Sequence, residues 1–348
     1  MPSFKIGNIR IGDNCPPVII VELGINHNGN LDNAIALADS AIKSGAEILK
    51  HQTHIPDDEM SQEAKKIYPV HATQSIYNII KKCALSENNE RKLMNYIKQK
   101  KKIFISTPFS RKAADRLKKF NVPAYKIGSG ECNNYHFVEY ICKFKKPIIM
   151  STGMNTLDSI KKSVLIIRKY KIPFALLHCV NLYPTPSELT KIECLFEIKK
   201  AYPDAVIGLS DHTTNIYSCL GSVALGSRVI EKHFVDNKVN RRGPDISSSM
   251  DSSELKQLIY GSKIIFNSLG KGKYPDKREK KTSKFAFQSV VSTDNIKKNQ
   301  LFTKKNIFLR RPGNGDFNVN ALKTLYGKRA SRDIENNRQI RFLDVKKN

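Results

Sequence analysis

Short apolar, β-branched runs alternate along this chain with longer segments whose apolar residues recur every three or four positions. Eight such runs are PVIIVELGI, AEILKHQTHI, KKIFISTPF, AYKIGSGE, KPIIMSTGM, PFALLHCVNLYP, AVIGLSDHT and RVIEKHFVD. Between them lie segments of helical length such as LDNAIALADSAIKSG and TLDSIKKSVLIIRKYK. In the second of these, Leu157, Ile160, Val164 and Ile167 fall on one helical face. Strands alternating with helices form parallel sheets. Eight units over roughly 250 residues predict an α/β fold, a (β/α)8 TIM barrel, over residues 1–270. The periodicity stops near Gly270, and a charged stretch with Pro and Gly, residues 271–286, reads as a linker. Residues 287–348 carry short β-like runs (FQSVVS, NIFLRR) and the turn signal RRPGNGD, predicting a small, mostly β domain.

Barrel enzymes gather their chemistry at the C-terminal ends of the strands, and here every run ends in polar or ionisable residues. In chain order these are Glu22; Lys50 and Gln52; Thr107; Lys126 and Ser129; Ser151; Asn181 and Tyr183; Ser210 and His212; and Glu231 and His233. Residues two apart on a strand share a face. Lys50 and Gln52 therefore point together, as do Ser210 and His212, and Glu231 and His233. A mouth lined by Lys, Ser, Thr and Asn suits a ligand with both phosphate and carboxylate. Lys50 and Lys126 have two other readings, interstrand ion pairing and imine formation. His212 and His233 close neighbouring strands about 4.8 Å apart. They can share a divalent ion or serve as hydrogen-bonded core histidines. Glu22, Glu131, Glu231 and Asp245 are candidates for acid–base work. HExxH, P-loop and GxSxG signatures are all missing.

Composition narrows the class further. A 40% hydrophobic content supports a core, and no apolar run approaches the roughly 20 residues that span a bilayer. The N-terminus lacks a secretory pattern, so a cytoplasmic location without membrane association is expected. Seven cysteines without a CxxC pair indicate neither a disulfide framework nor a zinc knuckle. The formal charge of +27 raises nucleic acid as a partner. Its lysines are dispersed rather than interleaved with aromatics on one face, which favours solvated helix faces and no nucleic-acid partner.

The ordered segments ELGINHNG, KHQTH with DEMS, ISTPFS, AYKIGSGECNN, STGMN, LHCVNLYPTP, GLSDHT and EKHFVD resemble the sialic acid synthase family. The segment RRPGNGD resembles that family's antifreeze-like (SAF) domain, a β-clip fold. The forms KHQTH…DEMS and GECNNY are most similar to bacterial N-acetylneuraminate synthases. Legionaminate and pseudaminate synthases, which use a diacetamido-dideoxy hexose, are the nearest alternative. The resemblance implies condensation of phosphoenolpyruvate with N-acetylmannosamine and water, with C–O cleavage, in a surface-polysaccharide context.

It also implies that His212 and His233 bind a divalent metal ion, Mn2+ with Mg2+ or Co2+ as alternatives. Phosphoenolpyruvate would fall to Lys50, Thr107, Lys126, Ser129, Ser151, Asn181 and Ser210, and the sugar to Glu22, Gln52, Tyr183 and Asp245. Arg311 would reach the sugar's N-acetyl group from the partner subunit of a domain-swapped homodimer, crossed by residues 271–286, with Phe285 near the same pocket. Two departures bear on sugar preference: His71 stands where relatives carry Asn, and DISSSM replaces DIVCSM. A C-terminal module acting independently of catalysis is a further alternative.

Overall fold

The computed structural model describes residues 1–69, 73–270 and 272–347. His71 lies outside the described residues. The chain divides into two units, Met1–Gly270 and Lys271–Asn348.

The first unit opens with an antiparallel hairpin, β1 (Ser3–Ile6) and β2 (Ile9–Gly12). Eight parallel strands follow: β3 (Val18–Gly24), β4 (Ile48–Thr53), β5 (Ile103–Pro108), β6 (Tyr125–Ile127), β7 (Ile148–Ser151), β8 (Phe174–Cys179), β9 (Val206–Asp211) and β10 (Val229–His233). They pair in sequence order, and β10 closes on β3 to complete the barrel. Each of the eight apolar runs contains one of these strands, so the expected fold class stands. The run AYKIGSGE shortens to three strand residues, because the chain turns at Gly128 to carry Ser129 over the rim.

Strand alternation sorts the side chains into two cores. Ile20, Ile48, Ile105, Ala124, Ile149, Ala175, Leu177, Val206 and Val229 fill the barrel interior. Phe4, Ile6 and Ile11 of the hairpin join this cluster. Residues of the opposite parity, such as Val21, Leu49 and Phe104, form the larger core with the helices. Burying each of these side chains contributes about 1.5–3 kcal/mol before ordering costs. Gly208 is an interior position where size decides: a Cβ there would come 2.2 Å from the Val229 carbonyl oxygen and 2.4 Å from Leu177.

Several helices start where short polar side chains satisfy free N–H groups. Asn30 accepts from Asn33 ahead of Leu31–Lys43, and Thr156 accepts from Ser159 ahead of Leu157–Lys169. In the second helix Ile160, Val164 and Ile167 are buried, but Leu157 is 40% exposed. Its first-turn position leaves it short of the sheet despite its place in the periodic pattern.

The second unit has its own core, built around Val290, Ile296, Phe302, Ile307, Leu325 and Ile340. Strands β11 (Ser289–Ser292) and β12 (Ile307–Arg310) pair antiparallel, and isolated bridges supply the remaining β structure. The segment 277–286 holds a 3-10 turn and the helix Lys280–Ala286.

Candidate active site at the barrel mouth

The interior apolar layer predicts which residues come next. Two positions beyond Ile20, Ile48, Ile105, Ala124, Ile149 and Val229 stand Glu22, Lys50, Thr107, Lys126, Ser151 and Glu231, all facing inward. All six are nearly excluded from solvent. Charges this deep persist only when paired, and here they pair with one another. The Lys50 ammonium is bonded to Glu22, donates to Thr107 Oγ1 at 3.0 Å and lies 3.8 Å from Glu231. Lys126 donates to Ser151 Oγ at 2.7 Å and lies 3.3 Å from Glu231, which also accepts from Ser210 at 3.1 Å.

Burial pulls both lysines toward neutrality. At Lys50 the carboxylates Glu22 and Glu231 outweigh that pull and hold the ammonium above its ordinary value. At Lys126 burial prevails and its pKa is lowered. Glu231 is held below its ordinary value, because the two lysines overcome its own burial. The ion-pairing and anion-binding readings of these lysines are therefore compatible: the same groups pair across strands and face the mouth.

Beyond the strand ends, Ser129 Oγ accepts from the Gly153 N–H at 3.0 Å. A Cβ on Gly153 would sit 1.9 Å from Asn181 Oδ1, so glycine there lets Asn181 and Ser129 converge. Gln52 lies opposite Thr107 in the β4–β5 register and contacts His54 Nε2 at 3.1 Å, while His54 Nδ1 meets Glu59 at 2.8 Å. Glu131, in the turn after β6, has a buried carboxyl oxygen without a hydrogen-bond partner. Burial first, then the nearby Glu59, push its pKa from 4.5 to about 7.

His212, one residue past β9, and His233, the last residue of β10, face each other with ring centroids 5.5 Å apart. The Tyr183 ring lies 4.1 Å from that of His212. His212 Nδ1 is 2.8 Å from the Val180 carbonyl oxygen, so it donates there and leaves Nε2 as the nitrogen available to a ligand. Burial, then the neighbouring His212 and Lys50, hold His233 well below its ordinary pKa, and the ring is neutral. Its Nδ1 is buried without a hydrogen-bond partner, 3.5 Å from Asp245 Oδ2. Burial and Glu22 raise Asp245 to about 6. Among the described residues, no group of three or more His, Cys, Asp or Glu side chains forms a metal cage. Burial pulls His212 toward neutrality, but Cys179 and the Val180 carbonyl outweigh it and raise its pKa. Two facing imidazoles, one with an orphaned nitrogen, fit a cation whose other positions would be filled by bound molecules.

Phe285 and Arg311 belong to the second unit. Phe285 is exposed on the helix Lys280–Ala286, and Arg311 is exposed just after β12. Residue-type reading overlooked Cys179, which shares the inward parity of Leu177 and lies 3.9 Å from His212 Nδ1. It also overlooked Asn26, which donates to the Phe234 carbonyl and to Ser249 across the β3–β10 seam. Parity was a usable signal for the cysteine. Nothing local marked the asparagine.

A closed parallel barrel whose mouth joins two lysines, a row of hydroxyls and two facing imidazoles is the architecture of a barrel enzyme with a polar, charged mouth. More particularly, the chain belongs to the NeuB family, whose model matches residues 37–274, and a SAF domain matches residues 287–346. It is 34% identical to the N,N'-diacetyllegionaminic acid synthase of Campylobacter jejuni, over 93% of this chain and 98% of that one. It is 32% identical to a pseudaminic acid synthase of the same organism, over 95% and 97%. The crystal structure of an N-acetylneuraminic acid synthetase from Leptospira borgpetersenii, in complex with citrate, superposes with a TM-score of 0.74. That match has 30% identity and covers 80% of this chain and 94% of the other. Among the described residues no helix is long and apolar enough to cross a membrane.

Proposed function

We propose that the chain is an N-acetylneuraminate synthase, joining phosphoenolpyruvate to open-chain N-acetylmannosamine with water and releasing phosphate. The observation that carries this reading is the single inward layer in which Lys50, Lys126, Thr107, Ser151 and Ser210 converge. Such donors suit a small ligand with phosphate at one end and carboxylate at the other. For the sugar, Gln52, held by His54 and through it Glu59, offers a polar side chain suited to the hydroxyls of N-acetylmannosamine.

In this reading Lys50 and Lys126 hold the phosphate and carboxylate, and Ser129, Ser151, Asn181, Ser210 and Thr107 complete their hydrogen bonds. An ammonium kept charged, as Lys50 is, suits an anion clamp better than imine formation. Carbon 3 of phosphoenolpyruvate attacks the aldehyde carbon, water adds at carbon 2, and the bond from carbon 2 to the phosphate oxygen breaks. A divalent ion held by His212 and His233, Mn2+ by preference, supplies Lewis-acid polarisation of a carbonyl oxygen when bound. Glu22, bonded to Lys50, would exchange the proton at the aldehyde oxygen or the attacking water. Asp245 and Tyr183 orient the sugar, and charge neutralisation by Lys126 assists departure of phosphate. The family resemblance adds Arg311 and Phe285, delivered by a second copy of the chain in the cytoplasm.

The experiment is a side-by-side kcat/KM determination with N-acetylmannosamine and a 2,4-diacetamido-2,4,6-trideoxy hexose, following phosphate release. Preference for N-acetylmannosamine is expected. Preference for the trideoxy sugar would transfer the assignment to the legionaminate or pseudaminate branch.

A further inference from the structure

The faces of β9 and β10 that carry Ser210, His212, Glu231 and His233 look into the mouth, so the intervening residues Asp211 and Lys232 look outward. They stand opposite each other in the strand register, and both side chains are wholly excluded from solvent. The Lys232 ammonium donates to Asp211 Oδ2 at 2.5 Å and to the Thr213 carbonyl oxygen at 2.7 Å. Thr213 Oγ1 donates back to Asp211 Oδ2 at 2.8 Å. Asp211 and Thr213 flank His212, and Lys232 immediately precedes His233. One ammonium thus ties the Asp211 carboxylate, just before the first imidazole, and the Thr213 backbone, just after it, to the residue beside the second.

Stability alone does not account for this arrangement. Desolvating two charges cancels most of their attraction, and a well-packed apolar pair usually replaces a buried ion pair without loss. The bond to the Thr213 carbonyl is what an apolar pair cannot reproduce. That bond fixes the chain as it leaves β9, where strand pairing has ended at Asp211.

We propose that Lys232, with Asp211 and Thr213, is a positioning clamp that sets the separation of His212 and His233 from behind the barrel wall. The proposal rests on the reading that those two histidines hold a divalent ion. The clamp touches neither the ion nor the substrate, and its effect is to hold two donors at one spacing so that binding needs no reordering of the β9 exit.

The test is a titration of full-length protein with Mn2+, reading the free ion by electron paramagnetic resonance. The variants are Asp211→Leu/Lys232→Met, which removes the pair as a unit, and the near-isosteric Thr213→Val. Thermal unfolding of each is recorded alongside. The double variant is expected to keep its unfolding midpoint while Mn2+ affinity falls about 10- to 100-fold, the range for lost outer-sphere partners. Thr213→Val, which keeps the ammonium, is expected to lose a smaller part of that affinity. Phosphoenolpyruvate affinity measured in chelator should stay at the wild-type value, which a general distortion of the mouth would not allow. Wild-type Mn2+ affinity in the folded double variant overturns the clamp. Should the double variant not fold, wild-type affinity in the single variant Lys232→Met, which removes the bond to the Thr213 carbonyl, overturns it. Failure of the wild-type protein to bind Mn2+, or equal binding by His212→Ala, overturns the two-histidine site and the clamp with it.

Discussion

Glu131 makes a quantitative prediction about stability and pH. Its carboxyl packs against Gly128, where an added Cβ would fall 2.5 Å from Oε2, and that oxygen has no hydrogen-bond partner. Its pKa of about 7 in the folded protein exceeds its ordinary 4.5, because burial and the carboxylate of Glu59 disfavour ionisation more than Lys126 favours it. Below pH 4.5 the group is protonated in both folded and unfolded chains and contributes no pH dependence. Between 4.5 and 7 the folded chain binds the extra proton, so stability falls as pH rises, and the loss is complete above 7. Each tenfold change in proton affinity is worth about 1.4 kcal/mol, which sets an upper limit of about 3 kcal/mol. Partial contact with solvent brings the expected effect to about 2 kcal/mol.

Glu131→Gln removes the titration. The stability difference between variant and wild type, from urea denaturation at matched slopes, should therefore move by about 2 kcal/mol in the variant's favour between pH 5 and pH 8. Any fixed cost of the amide cancels in that comparison. A difference independent of pH would refute the assignment of a neutral, unpaired carboxyl at this position.

Three further outcomes follow from the site. His212→Ala should abolish turnover, whereas full activity of this variant after metal stripping would end the metal assignment. Arg311→Ala should raise the KM for the sugar far more than that for phosphoenolpyruvate, and equal changes would remove Arg311 from the sugar site. Because the positive charge is dispersed, binding to duplex DNA should be weak and nonspecific at physiological salt. Submicromolar, salt-sensitive affinity would point to a nucleic-acid partner instead.

Most of the barrel was legible in the residue pattern, because eight β-branched runs separated by amphipathic segments admit few other architectures. Parity carried the reading into the site, since knowing that Ile48 faces inward places Lys50 and Gln52 on the same face. Partnerships between strands were not legible. Glu231 was recognisable as a candidate acid or base, but not as the carboxylate between Lys50 and Lys126, which depends on closure of the barrel. The outward pair Lys232–Asp211 was invisible for the same reason, as its partners lie 21 residues apart. Leu157 shows the converse limit, a correct periodic position whose burial depends on how far the helix end projects from the sheet.

The chemistry is tested most directly by following the bridging oxygen of phosphoenolpyruvate. With oxygen-18 at that position and N-acetylmannosamine as acceptor, the full-length protein with Mn2+ should release phosphate carrying the label and a nine-carbon acid without it. Label retained in the sugar acid, or no phosphate released from this pair of substrates, would contradict the account.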